Sequence, residues 1–151
     1  MTRSSGQVCD GRSLLSGSVS GRALVLDEPL SFWGGIEPTT GRVVDRRHPQ
    51  CGETITDAVL VMPSGRGSSS AASVLAECIR CGTAPRAIVL AEADEILLVG
   101  ALVANELYGR LCPIVVVDPQ CHAVLRDGYR IEIGIDGGVI VHDEDEGEGG
   151  G

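Results

Sequence analysis

Four serines and an arginine are concentrated in one short glycine-rich segment, Ser64–Ser70, with the sequence SGRGSSS. The glycines at 65 and 67 let the backbone turn sharply and approach a ligand closely, because they have no Cβ. Arg66 adds a cation whose planar guanidinium can bind a carboxylate through two hydrogen bonds. Hydroxyls beside such a loop predict chemistry on a small acidic molecule.

A strand and a helix are predicted to hold this loop. The apolar run Ala58–Met62 predicts a buried strand, and apolar residues at helical spacing predict a helix over Ser69–Arg80, ended by Gly82. The first turn of a helix has unpaired N–H groups and the positive end of the helix dipole. Both favour a bound carboxylate, phosphate or alkoxide. The loop is therefore predicted to be an anion-binding site.

Two simpler interpretations of the loop stay open, a flexible connection and a helix N-cap. Capping needs one hydroxyl, whereas three successive serines end this segment. The segment lacks the Gly-Lys-Ser/Thr of a Walker A loop and the G-x-S-x-G of a nucleophile elbow, so neither of those chemistries is predicted.

The rest of the chain alternates short apolar strands with helices. A second helix is predicted over Glu95–Tyr108, capped by Asp94 and ended by Gly109, and its apolar residues all round predict deep burial. Strands are predicted over Leu14–Leu26 (as a pair), Arg42–Asp45, Ala87–Leu90, Ile114–Val117, Arg130–Ile135 and Val139–His142. This order predicts a compact, β-rich α/β domain with helices packed on sheet layers.

Three parts of the chain are distinguished by composition. Residues 1–15 are expected to be a frayed, polar N-terminus, residues 16–142 the folded domain, and residues 143–151 a disordered, acidic, glycine-rich tail. The net charge of −9 argues against nucleic acid or an anionic membrane surface as a partner. Without a long apolar run, the protein is expected to be soluble and cytoplasmic.

The cysteines, histidines and aromatic residues give weaker signals. The six cysteines are expected to be reduced; Cys78 and Cys81 are interpreted as structural thiols, because no second pair completes a metal site. His48, in a polar loop, is expected to border a cleft or a subunit contact, and no histidine is assigned to catalysis. Phe32 and Trp33 are either exposed interface anchors or a plug over the core.

Several of these segments, in this order, resemble the swivel (small) domain of the aconitase X proteins. The matching segments are Ser31–Pro38, Gly41-Arg42, His48-Pro49, Pro63–Ser70, Gly82–Pro85 and Leu107–Gly109, and the resemblance runs from about Gly17 to Val141. It implies a swivelling β/β/α domain that works with a larger catalytic chain. That large subunit is expected to hold the iron or iron–sulfur centre, with no metal or cofactor in this chain. Since no large domain is present in this sequence, a separate small subunit is expected.

The resemblance also implies a reaction. Known activities of the family are dehydrations of cis-3-hydroxy-L-proline and of mevalonate 5-phosphate. Aconitases have a Gly-Ser-Ser run whose first serine is the base, and Gly67-Ser68-Ser69 matches it. By this resemblance Ser68 is the catalytic base. The substrate carboxylate would be held by Gly65, Arg66, Gly67 and Ser69. Ser70 replaces the arginine that follows the two serines in aconitases, and Arg66 is expected to substitute for it.

A second segment, Val99–Glu106, resembles the swivelling phosphohistidine domain of phosphoenolpyruvate-utilising enzymes. Val99 stands where that family has its histidine, so phosphotransfer is excluded while a swivelling architecture is supported. Two other functions stay open for this chain. One is a non-catalytic module that binds a small carboxylate through the same loop. The other is a structural partner whose Phe32-Trp33 patch covers another protein.

Overall fold

The computed structural model describes residues 7–65 and 69–142, which form one curled main sheet with helices on its faces and a separate two-stranded sheet. The elements in chain order are β1 (Gln7–Cys9), β2 (Gly11–Leu15), β3 (Val19–Val25), α1 (Phe32–Gly35), β4 (Ile36–Glu37), β5 (Arg42–Val43), β6 (Val59–Met62), α2 (Ala71–Cys81), β7 (Ala87–Leu90), α3 (Glu95–Tyr108), β8 (Ile114–Val117), α4 (Pro119–Val124), β9 (Arg130–Ile133) and β10 (Val139–His142). The prediction of a mixed α/β fold with helices packed on β layers is confirmed.

The main sheet has eight strands in the order β1-β10-β9-β3-β6-β7-β8-β2. Strands β3, β6, β7 and β8 are parallel to one another, and the remaining pairs are antiparallel. β1 and β2 lie at opposite edges of this sheet, although Asp10 alone separates them in the chain. The sheet must therefore curl until its two edges approach each other.

The central strands are apolar throughout because both of their faces are buried. Along β6, Leu60 and Met62 face the layer that contains α2 and α3, whereas Val59 and Val61 face the layer closed by α4, β9 and β10. The two layers share the parallel strands as a wall. This wall fixes the position of every loop that leaves its carboxyl ends.

The helices α2 and α3 lie side by side on one face of the sheet. Their backbones approach closely at Gly100, where a Cβ would be 2.5 Å from the Ala72 carbonyl oxygen. Asp94 caps α3 by accepting a hydrogen bond from Leu97 N (3.0 Å), and Gly109 ends the helix with φ of 67°. The predicted bounds and cap of this helix are confirmed.

The prediction that residues 1–15 are frayed is wrong for the part that the structure describes. Residues 7–15 form β1 and β2, which pair with β10 and β8 at the two edges of the sheet. The strands that pair with this polar stretch are distant in sequence, so its own residues do not indicate the pairing. Residues 1–6 and the predicted tail, 143–151, lie outside the described residues.

The prediction that α3 is buried all round is also wrong. One face packs on the sheet and on α2, but Val99, Leu102, Val103 and Leu107 are exposed on the outer face, Leu107 by 65%. A helix on a sheet with a single helical neighbour keeps one side in water.

Within the described ranges, none of the helices has the length and hydrophobicity needed to cross a membrane.

The expectation that all cysteines are reduced is wrong for one pair. Cys9 and Cys121 form a disulfide, with Cα atoms 5.9 Å apart, because the curl of the sheet brings β1 against α4. Cys78 and Cys81 were both interpreted as structural thiols. Cys78 is buried, whereas Cys81 is half-buried. Burial raises the pKa of Cys78 to about 11 and that of Cys112 to about 12, so both thiols are neutral at pH 7.

Candidate active site

The serine loop leaves the carboxyl end of β6 and leads into α2. Pro63 begins it, and its carbonyl oxygen accepts hydrogen bonds from Ala91 N (3.0 Å) and Glu92 N (3.1 Å) of the loop after β7. On the other side, Leu30, after β3, forms a parallel bridge with Gly65. Three chain segments thus meet at the carboxyl edge of the parallel strands, where ligand sites of open α/β sheets are usually found.

Gly65 has a close neighbour in this edge. A Cβ at this position would overlap Asp94 Oδ2 and lie 3.0 Å from Asp94 Cγ. The other carboxylate oxygen of Asp94 accepts the capping hydrogen bond from Leu97 N. The absent side chain at position 65 is therefore needed for the start of α3 to pack against the loop. From sequence Asp94 was identified as a cap, but not as a neighbour of the loop.

The charge of Asp94 sets a condition on any anion that binds here. A carboxylate or an alkoxide near Gly65 is repelled by the Asp94 carboxylate and needs a cation to compensate. Arg66 is the basic residue that the sequence places in the loop. Arg66, Gly67 and Ser68, three of the five predicted site residues, lie outside the described residues. Of the other two, Gly65 is half-buried and Ser69 is exposed in the turn before α2.

Phe32 and Trp33 each take one of the two roles that the sequence left open, a plug over the core and an exposed aromatic residue. Phe32 is completely buried as a plug in the core, whereas Trp33 is 58% exposed. The segment that carries them follows Leu30, the residue paired with Gly65. Trp33 therefore belongs to the same edge of the domain as the serine loop.

His48 has a structural position rather than a place in a cleft. It is buried, its Nε2 is 3.1 Å from Glu28 O, and its Nδ1 accepts a hydrogen bond from Gln50 N (3.0 Å). Both ring nitrogens are used by the backbone, so the ring ties the segment after β3 to the turn at residues 48–51. This burial replaces the predicted cleft or subunit contact.

A cavity of about 650 Å³ lies at the opposite edge of the domain, near the C-terminal end of α2. Its two arginines bind backbone atoms: Arg86 Nε donates to Asp57 O (3.1 Å), and Arg110 donates to Ile79 O (3.1 Å). These arginines therefore stabilise the ends of loops and helices.

Within residues 7–65 and 69–142, no group of three or more His, Cys, Asp or Glu side chains is arranged to hold a metal ion.

Comparison with known proteins agrees with this geometry. The sequence model of the aconitase X swivel domain matches residues 8–142. The chain belongs to this family. The expected family is thereby confirmed, and the curled sheet together with its helices is the swivel domain.

The relatives of this swivel domain include a much longer protein and a small subunit of similar length. It is 50% identical over 103 residues to cis-3-hydroxy-L-proline dehydratase of Pseudomonas aeruginosa, covering 68% of this chain but 18% of that protein. It is 37% identical over 130 residues to the phosphomevalonate dehydratase small subunit of Thermococcus sibiricus, covering 86% of this chain and 94% of that protein. The chain thus spans less than a fifth of the first relative and nearly all of the second.

A solved structure gives the same result. The swivel domain superimposes on a chain of aconitase X from Thermococcus kodakaraensis, crystallised in its holo-form, with a TM-score of 0.82 and 31% sequence identity. The superposition covers 91% of this chain and 100% of that chain.

Proposed function

We propose that this swivel domain is the small subunit of an aconitase X-type hydro-lyase, which removes water from a small hydroxy acid such as cis-3-hydroxy-L-proline. The observation that carries the proposal is the near full-length match to a phosphomevalonate dehydratase small subunit. The proposal is supported by the position of the serine loop at the carboxyl edge of the parallel strands, between β6 and α2.

In this proposal Ser68 is the general base that removes the proton next to the substrate carboxylate. A helix N-terminus stabilises a nearby anion by about 0.3–2 kcal/mol, which favours a serine alkoxide by a factor of about 30 at most. That is far too little for a hydroxyl near neutral pH, and Asp94 opposes it. Arg66, the loop N–H groups and exclusion of water must contribute the rest. The isolated chain is therefore expected to be inactive.

The substrate carboxylate is assigned to Gly65, Arg66, Gly67 and Ser69. Because Asp94 lies against Gly65, the carboxylate is expected on the side of the loop that faces away from Asp94, toward Ser69 and the start of α2. Ser69 is exposed there and can donate its hydroxyl. The first turn of the 11-residue helix α2 adds the positive end of its dipole, because Ala72 N and Ser73 N already donate to Ser69 O (3.2 Å) and Ser70 O (3.1 Å).

The partner in this proposal is an aconitase X-type large subunit that covers the loop. We assign the iron or iron–sulfur centre to it, as the resemblance to the aconitase X family implies. The chemistry that such a centre supplies, the departure of hydroxide, is thereby assigned to the partner as well. The purified small chain is expected to contain no stoichiometric iron, and an iron–sulfur absorption band in it would contradict this assignment.

Replacing Ser68 by alanine in the two-chain enzyme tests the base. A positioned base contributes about 10²–10⁴-fold in rate, so turnover should fall by at least about 100-fold while the complex still forms. Ser73→Ala is the matched control, because Ser73 is an exposed serine further along α2. It should retain full turnover. Full activity in Ser68→Ala would show that another residue is the base, and Ser69→Ala would then be tested.

A further inference from the structure

An exposed aromatic side chain beside the serine loop has no role in the chemistry proposed above. Trp33, the one tryptophan of the chain, exposes 58% of its surface next to the fully buried Phe32. Tryptophan is among the residues that contribute most to binding when it is buried at the centre of a protein interface. The position of Trp33 at the functional edge therefore indicates a surface that another molecule covers.

The backbone presents this indole in a defined orientation. Ser31 Oγ donates to Trp33 O (3.0 Å), and Ile36 N donates to the carbonyl of the buried Phe32. Gly34 takes the left-handed conformation, with φ of 83°, so that the chain turns back into β4. Binding through Trp33 therefore requires little ordering of the backbone, which keeps the entropic cost of association small.

The segment of Trp33 is packed directly on the serine loop. Leu30 pairs with Gly65, and the α-carbon of Gly35 lies against Leu30, where a Cβ would be 3.0 Å from Leu30 Cδ1. Trp33 follows Leu30 by three residues in the sequence. A partner that covers the serine loop is therefore expected to extend to the indole as well.

Two exposed arginines follow a segment that is hydrogen-bonded to the tryptophan segment, in a chain of net charge −9. Val44 N donates to Gly35 O (2.9 Å), which places Val44 beside the tryptophan segment, and Val44 is 44% exposed. Arg46 and Arg47 follow it and are exposed, Arg47 with 94% of its side chain. Arg47 has a loose ion pair with Asp45, 3.8 Å long. We call Trp33, Val44, Arg46 and Arg47 the tryptophan patch.

We propose that the tryptophan patch is the docking surface for the large subunit and that it fits an apolar pocket with an acidic rim. This rests on the proposed function, which requires a second chain over the serine loop. A second copy of this chain fits the patch poorly. In a two-fold contact the patch would face its own copy, so the arginines of both chains would lie in one interface, and like charges across an interface are unfavourable.

The affinity of the full-length chain for its large subunit tests the proposal. Trp33→Ala should raise the Kd by about 30-fold or more in calorimetric titrations, as expected for a central aromatic anchor. Ile135→Ala is the matched control, because Ile135 is also exposed, by 66%, but lies far from the patch. It follows β9, whose last residue pairs with Val19 at the amino end of β3, opposite the carboxyl ends that lead to the serine loop. Its Kd should be unchanged. The double variant Arg46→Glu and Arg47→Glu should slow association, most strongly at low salt, where repulsion by the acidic rim is least screened.

A measurement without substitution gives an independent result. Because the chain has one tryptophan, the ¹⁹F signal of 5-fluorotryptophan in it reports Trp33 alone. Adding unlabelled large subunit should shift and broaden this signal. An unchanged signal in the complex, a wild-type Kd for Trp33→Ala, or a homodimer that Trp33→Ala dissociates would each overturn the proposal.

The outcomes separate this proposal from the proposed function. If Ser68→Ala inactivates the enzyme and Trp33→Ala binds like wild type, the docking surface alone is wrong. If Trp33→Ala weakens binding and Ser68→Ala stays fully active, the base assignment is wrong and the docking surface stands. If the wild-type chain binds no aconitase X-type large subunit, both are wrong.

Discussion

Replacing Gly65 by alanine is expected to disturb the serine loop and the start of α3 together. The new Cβ would overlap Asp94 Oδ2 and lie 3.0 Å from Cγ, so either the carboxylate or the loop must move. If the carboxylate rotates away, α3 loses its cap to Leu97 N, which costs about 0.5–2 kcal/mol. If the loop moves instead, overpacking costs about 1–3 kcal/mol. The free energy of unfolding should therefore fall by about 0.5–3 kcal/mol, depending on which group moves.

A double-mutant cycle measured by urea denaturation identifies the contact. Asp94→Ala alone should cost about 1 kcal/mol, because it removes the cap. In the Asp94→Ala background, Gly65→Ala should be nearly neutral, because the oxygen that it would strike is absent. The coupling energy between the two positions is then expected to be about 0.5 kcal/mol or more. Equal costs for Gly65→Ala in the two backgrounds would refute the contact.

The same variant has a functional consequence. A loop displaced by a new Cβ moves the neighbouring serines, and a misplacement of about 1 Å can reduce turnover about 100-fold. Gly65→Ala is therefore expected to reduce turnover of the two-chain enzyme even where the protein is fully folded. Wild-type turnover in this variant would show that the position of the loop does not depend on Gly65.

Three further predictions concern the core and the cysteines. Phe32→Ala should lower the free energy of unfolding by about 3–5 kcal/mol, since it empties a fully buried site; a loss below about 1 kcal/mol in urea denaturation would contradict that burial. Thiol titration of the unfolded, unreduced protein should count four free cysteines, and Cys9→Ser with Cys121→Ser should cost about 2–4 kcal/mol; six titrating thiols would contradict the disulfide. Because burial raises the pKa values of Cys78 and Cys112 above the ordinary value of 9.0, to about 11 and about 12, the unfolded chain loses these protons first. The free energy of unfolding should therefore fall as pH rises from about 9 to 12, and Cys112→Ala should weaken that dependence.

The central strands and α3 were predictable because their signals are local. The apolar runs of β7 and β8 agree with the observed bounds to the residue, since strands buried on both faces need no polar alternation. Asp94 and Gly109 mark the two ends of α3. The order of these elements also placed the serine loop between a buried strand and a helix, and the structure has β6 and α2 there.

The elements that were missed depend on contacts between distant parts of the chain. β1 and β2 are polar stretches that become strands only through pairing at the two edges of the curled sheet. The Cys9–Cys121 disulfide joins residues 112 positions apart, which no spacing rule indicates. The exposure of the outer face of α3 likewise depends on how many neighbours the helix has in the fold.

The neighbourhood of the loop was missed for the same reason. Asp94 carries a clear capping signal, but its contact with Gly65 arises from the packing of α3 beside β6. Likewise, the sequence left Phe32 and Trp33 with two alternatives each. The fold assigns one role to each residue: Phe32 is buried in the core, and Trp33 is exposed.

Reconstitution from two separately purified chains tests the central claim most directly. This chain and an aconitase X-type large subunit from the same organism would be assayed alone and mixed, with cis-3-hydroxy-L-proline and mevalonate 5-phosphate as substrates. We predict no dehydration by either chain alone and turnover of one of these acids by the mixture. Dehydration by the large chain alone at the rate of the mixture, or a mixture without complex or activity, would contradict the account.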